Sequence, residues 1–194
     1  LLFSTFLGFG GGILIMSAVY WIFRKANPGL MKSKFRWLQI ASSAFMAFGH
    51  GSNDGQKFMG AFTLALVLGG VLPAFDIPKW VIFLCAGVMA MGTIVGGWEI
   101  MKTMGMRMTR LETHQGFSAE MAAATTIELA SRLGIPLSTT HTISTSIMGV
   151  GAVRRLSAVR WGVTGELITA WILTFPACGL ISWLTFKIAR AVLH

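Results

Sequence analysis

The chain reads as an all-α, polytopic membrane protein with a broken transmembrane helix and a re-entrant helical hairpin. Three observations predict this class. Charged residues make up only 12% of the 194 and apolar residues 54%, against about one quarter charged in a soluble domain, and the mean hydropathy is +0.69. Residues 1–23, 58–75, 80–98 and 167–186 carry no charge, and each run is close to the ~20 residues that cross a ~30 Å hydrocarbon core as a helix. Trp21, Trp37, Trp80, Trp98 and Trp161 fall at the ends of these segments, where an interfacial aromatic belt belongs. The expected plan is one transmembrane domain over 1–194: a span 1–23, a broken helix 37–72, a span 80–98, a re-entrant hairpin 117–153 and a span 161–188.

Each element has its own reason. Residues 1–23 lack the basic n-region of a signal peptide and are long for its apolar stretch, so they read as a span at the cut edge of a fragment. The net charge of +9 is no nucleic-acid signal, because the basic residues sit in short loops. Arg24, Lys25, Lys32, Lys34 and Arg36 follow the first span, Lys102, Arg107 and Arg110 follow Trp98, and Arg154, Arg155 and Arg160 precede the last. Positive loops stay cytoplasmic. With 24–36 inside, 37–71 goes out, the loop of Pro73, Asp76, Pro78 and Lys79 lies outside, and 80–98 returns. Both 99–114 and 154–160 are then inside. The region between them must cross an even number of times or re-enter. It carries Glu120, Glu128 and Arg132 and breaks at Gly134-Ile135-Pro136, which suits a hairpin turning inside the bilayer. Glu128 and Arg132, spaced i, i+4, read as a local salt bridge. Cys85 and Cys178 stand singly in apolar segments without metal spacing and read as small core residues.

Two polar stretches interrupt this apolar plan. In 48–57, Gly49, Gly51 and Gly55 permit unwound backbone, while Ser52, Asn53 and Asp54 compete for helical hydrogen bonds. A mid-membrane break is expected here, the usual pointer to a transporter's binding site. Residues 138–150 are crowded with serines and threonines around His141 and hold no charged group. Polar groups cannot be left unpaired in hydrocarbon, so these hydroxyls line a protein-enclosed, hydrated site. Ser138, Thr139 and Thr140 begin a half-helix after Pro136, where hydroxyls and free backbone N–H groups suit a small oxyanion; an ordinary helix cap is the alternative. Thr142, Ser144, Thr145 and Ser146 read as packing hydroxyls bonded back to carbonyls.

Asp54, by its charge, stands against an anion site. A carboxylate within about 5 Å of a doubly charged anion would repel it by several kcal/mol at an effective dielectric near 20, unless a cation or proton lies between. Asp54 and Glu120 therefore argue for a coupling cation. The competing readings are an Asp54–Lys57 pair and, for Glu120, an acid complementing the first turn of a helix that opens at Phe117. His50 and His141 suit either a coupling proton or a bracing hydrogen bond. His114 and His194 have no assigned role.

The segments His50-Gly51-Ser52-Asn53-Asp54 with Gln56-Lys57, Pro136-Leu137-Ser138-Thr139-Thr140-His141 with Met148-Gly149-Val150-Gly151-Ala152, and Arg154-Arg155-Leu156-Ser157-Ala158-Val159-Arg160-Trp161-Gly162 resemble the bacterial branch of the inorganic phosphate transporter (Pit) family. The resemblance covers most of the chain. It implies two inverted repeats, of which this chain looks like the C-terminal one, so that the absent N-terminal repeat supplies half of the site. It further implies substrate contacts from Ser138, Thr139, Thr140, Asn53 and Gln115, a coupling cation at Asp54, Asn53 and Glu120, with Asp54 as the ligand of a sodium ion, and a needed acid at Glu120.

The implied function is secondary active transport of inorganic phosphate coupled to Na+ or H+, with no other cofactor, by a multi-pass protein of the cell inner (plasma) membrane. The alternative is a permease for sulfate or another tetrahedral oxyanion. An intramembrane hydrolase has no support, since neither His-Glu-x-x-His nor a Gly-x-Gly-Asp context is present. Expected partners are inorganic phosphate, the lipid bilayer and the N-terminal repeat; a homo-oligomer is left open, and nucleic acid is not among them.

Overall fold

The computed structural model of the chain describes residues 2–102, 109 and 111–193. Arg107, Arg110 and His194 lie outside the described residues. Within them the chain is all-helical: α1 (Leu2–Phe23), α2 (Pro28–Leu68), α3 (Lys79–Lys102), α4 (Thr113–Arg132), α5 (Thr139–Arg154) and α6 (Trp161–Leu193), with a 3-10 turn at Leu156–Ala158. Among the described residues, three stretches are long and apolar enough to cross a membrane: Leu2–Phe23, Lys79–Glu99 and Trp161–Ala191. The chain divides into two compact units, Leu1–Val159 and Arg160–His194.

In the first unit α1 lies against α4 and α5, α2 against α4 and α3, and α4 against α5. The α1–α5 seam is built from small residues. Ser4, Gly8, Gly12 and Met16, four apart on α1, are buried and face Thr142, Thr145, Ser146 and Gly149. A Cβ on Gly12 would overlap the Ser146 carbonyl, and one on Gly149 the Phe9 carbonyl. The backbones therefore approach as closely as small-xxx-small pairs allow in apolar surroundings. The α5 hydroxyls are consumed at the seam: Thr142 Oγ1 donates to the Ser138 carbonyl at 2.9 Å, Ser144 Oγ to Thr140 at 2.6 Å, Thr145 Oγ1 to His141 at 2.8 Å and Ser146 Oγ to Gly8 of α1 at 3.1 Å. Phe35, which is fully buried, closes one end of the unit with edge contacts to Phe23, Phe117 and His114.

The expected break in α2 is absent. The helix runs 41 residues without interruption, and among the described residues only Gly70 and Gly134 have positive φ. The glycines each cost about 1 kcal/mol of helix propensity, but Asn53 and Asp54 spend their polar groups on the α4–α5 turn instead of their own backbone. The local competition that predicts unwinding is thereby removed. α2 also begins earlier than 37. The Asn27 side chain accepts from Gly29 N at 2.9 Å and Pro28 takes the first turn, a favoured start, so Lys32, Lys34 and Arg36 ride on a helix, not in a loop.

α4 likewise opens at Thr113, with Glu112 and Gln115 forming a capping box. Glu120 is two turns inside the helix and not in its first turn. The predicted Glu128–Arg132 pair is present at 2.9 Å. Cys85 is only partly buried and Cys178 is exposed, so neither is a core residue; both sit on helices whose apolar side chains, such as Phe83, Ile94, Ile172 and Phe175, face outward.

The second unit is α6. Pro176 lies within it and withdraws one backbone donor. Thr169, Thr174 and Thr185 donate to the Gly165, Ala170 and Ile181 carbonyls at 2.8, 2.7 and 2.8 Å, so these hydroxyls need no water.

Gly12→Ala should lower the thermal stability of the full-length protein in detergent by about 1–3 kcal/mol, the usual cost of overpacking. Gly10→Ala, whose Cβ would meet nothing within 4 Å, should be neutral or gain up to about 1 kcal/mol. Equal melting temperatures for the two variants would show that the seam is not tight.

Candidate functional site

α4 and α5 form a hairpin whose turn meets Asn53 and Asp54 of α2. Gly134, at φ +70°, ends α4 in a left-handed conformation that suits glycine. Pro136 then separates the helices, and Ser138 caps α5, its Oγ accepting from His141 N. The same Oγ lies 2.6 Å from His141 Nδ1. His141 therefore braces the start of α5. Thr139, buried, and Thr140, exposed, occupy the first turn, where backbone N–H groups have no helical partner.

α2 passes this turn in the same direction as α4. Ser42 meets Glu120, Gly49 lies near Ala124 and Ile127, and Asn53 reaches Leu137. His50, Asp54 and Lys57 form one stripe on an unbroken helix. Asp54 Oδ1 accepts from Lys57 Nζ at 2.9 Å and from Asn53 Nδ2 at 3.4 Å. Its Oδ2 accepts from Thr139 Oγ1 at 2.9 Å and is 3.1 Å from His50 Nε2. The Leu137 carbonyl accepts from both Asn53 Nδ2, at 3.0 Å, and Lys57 Nζ, at 2.6 Å. One carboxylate and one backbone carbonyl thus tie α2 to the start of α5. The side chains of His50 and Lys57 remain 40% and 39% exposed, so one flank of the cluster is open.

Gln115 and Glu120 are not in this cluster. The Gln115 side chain is buried in the capping box, its Oε1 accepting from Glu112 N at 2.9 Å. Glu120 accepts from Ser42 Oγ at 2.5 Å and Ser43 Oγ at 2.9 Å, with Gln39 as a further partner. Ser42 and Ser43 precede Asn53 and Asp54 by eleven residues, about 16 Å along a helix. Glu120 is surrounded by neutral donors and has no ion-pair partner among the described residues. Nor do three or more His, Cys, Asp and Glu side chains gather anywhere among them.

The Asp54–Lys57 pair, weighed in the sequence as the competing reading of Asp54, is present at 2.9 Å. The Leu137 carbonyl, Gln39, Ser42 and Ser43 were not singled out in the sequence, and nothing local marks them.

The sequence profile of the phosphate transporter family matches residues 1–182. A Rhizobium meliloti protein named "Probable low-affinity inorganic phosphate transporter" is 45% identical over 97% of this chain and 57% of its own length. A Bacillus subtilis protein of the same name is 37% identical over 99% of this chain and 58% of its own. The chain thus spans little more than half the length of these curated relatives. Among solved structures, one described as the sodium-dependent phosphate transporter is similar with a TM-score of 0.68 and 31% identity, over 82% of this chain and 41% of that one.

Asn53, 4% exposed, carries a buried donor to the Leu137 carbonyl. Asn53→Ala should destabilise the full-length protein by about 1–3 kcal/mol, read as a lower melting temperature in detergent. An unchanged melting temperature would mean that Lys57 alone holds that carbonyl.

Proposed function

The chain belongs to the phosphate transporter family, and on that premise we propose that it forms part of a secondary active transporter moving inorganic phosphate across the cell inner membrane together with Na+ or H+. The observation that carries this reading is the start of α5, where Thr139 Oγ1 donates to Asp54 of α2, Ser138 caps the first turn and the exposed Thr140 stands beside them. Neutral donors at a helix N-terminus, with a lysine ammonium beside them, suit a tetrahedral oxyanion. Asp54 no longer opposes the anion, because Lys57 offsets its charge at 2.9 Å.

Two acids then take different parts. Glu120 lies among Ser42, Ser43 and Gln39 without a cationic partner, and it is the acid that this geometry leaves open to a coupling cation. Hydroxyl and carboxylate oxygens are hard ligands that sodium accepts, and the structural neighbour named sodium-dependent favours Na+ over H+. Asp54, with Asn53 beside it, remains the second candidate. His50 and His141 act as braces. Gln115 serves phosphate only if its capping box opens.

The hairpin 117–153 is read as re-entrant. Its turn is level with Asn53–Lys57, while α2 continues eleven residues further, about 16 Å. The open flank of His50 and Lys57 is where a second repeat would complete the site.

Thr140 caps nothing, so Thr140→Ala is the cleanest probe. Loss of one hydrogen bond to a charged ligand costs about 1.5–3 kcal/mol, and phosphate affinity should fall about ten- to a hundred-fold with the fold intact. Uptake of radiolabelled phosphate into proteoliposomes of the full-length protein, with sodium and pH gradients imposed separately and sulfate as competitor, tests substrate and coupling ion. Accumulation of sulfate in preference to phosphate would overturn the reading. A cysteine at Ile135 should resist bulky impermeant thiol reagents on the outer face; rapid labelling there would show two complete crossings.

A further inference from the structure

Lys57 is the one ammonium in the polar cluster, and its contacts are those of a bound metal cation. Nζ meets Asp54 Oδ1 at 2.9 Å and the Leu137 carbonyl at 2.6 Å. A carboxylate oxygen and a backbone carbonyl beside a helix start are the hard ligands by which a membrane transporter holds sodium. The remaining capacity of the carboxylate is taken as well, by Asn53 on Oδ1 and by Thr139 and His50 on Oδ2. A free cation could reach Asp54 only by displacing the ammonium, which is tethered three residues away on the same helix and so present at very high effective concentration. Glu120 stands in contrast, with hydroxyl and amide partners only.

We propose that Lys57 is the resident counter-cation of Asp54, occupying the place a coupling metal ion would otherwise take there, so that phosphate binding beside Asp54 draws no sodium ion to that carboxylate. The inference rests on the phosphate reading above. It assigns Lys57 a positioning role: the ammonium holds Asp54 neutralised and the Leu137 carbonyl turned toward α2, which sets the start of α5.

The test is equilibrium binding of radiolabelled inorganic phosphate to the full-length protein in detergent, in sodium chloride and in choline chloride at equal ionic strength. The readout is the ratio of the two Kd values. Lys57→Met leaves Asp54 without a cation, and the ratio of Kd in choline to Kd in sodium should rise at least about tenfold over wild type, equivalent to ~1.4 kcal/mol. Lys57→Arg should keep the wild-type ratio. Lys57→Gln, which retains a donor for the Leu137 carbonyl, should behave as Lys57→Met and serves where that variant fails to fold. Sodium should also raise the melting temperature of the uncharged variants more than that of wild type, a change that mere loss of packing does not produce. A ratio that stays at the wild-type value in the folded Met and Gln variants overturns the assignment of Lys57 alone. Wild-type protein that binds no phosphate in either medium overturns the phosphate reading, and this inference with it.

Discussion

The Asp54 carboxylate is where the unit from α1 to α5 is joined across its polar interior. Donors from Lys57, Asn53 and His50 on α2 and from Thr139 on α5 converge on its two oxygens. The Leu137 carbonyl takes two of the same donors. In low-dielectric surroundings each of these groups would be costly alone, and together they satisfy one another. The long α2 stays helical through a segment with three glycines because its polar side chains are held from outside. The α4–α5 turn stays at one level along α2 for the same reason.

The rest of the unit follows from placing hydroxyls where helices touch. Along α5, hydroxyl groups bond back to carbonyls or across to α1, and the small residues of α1 let the backbones close on them. Only the first turn of α5 escapes this use. Ser138, Thr139 and Thr140 precede the seam and sit where N–H groups lack helical partners. The seam with α1 and the polar start of α5 are thus two parts of one helix under different constraints.

The two acids illustrate how environment divides labour between like groups. Asp54 is matched by a cation three residues away, and Glu120 only by neutral donors about 16 Å further back along α2. The charge of the first is offset within 2.9 Å, whereas that of the second is met by hydroxyl and amide dipoles alone.

Composition and patterning alone determined that the chain is helical and apolar. The helices α1, α3 and α6 follow charge-free runs bounded by tryptophans, because length and hydropathy of a span are one-dimensional properties. The meeting of Asn53, Asp54 and Thr139 was approachable from motif resemblance. The continuity of α2 was not legible, because Gly, Ser, Asn and Asp carry only local preferences and the partner that overrides them, the Leu137 carbonyl, lies 84 residues from Asn53. The partners of Gln115 and Glu120 were hidden for the same reason: the capping box at Glu112 and the serines of α2 decided which groups they touch. The pairing of Lys57 with Asp54 was readable from their three-residue spacing, and only the tertiary structure added the Leu137 carbonyl to the ammonium's contacts.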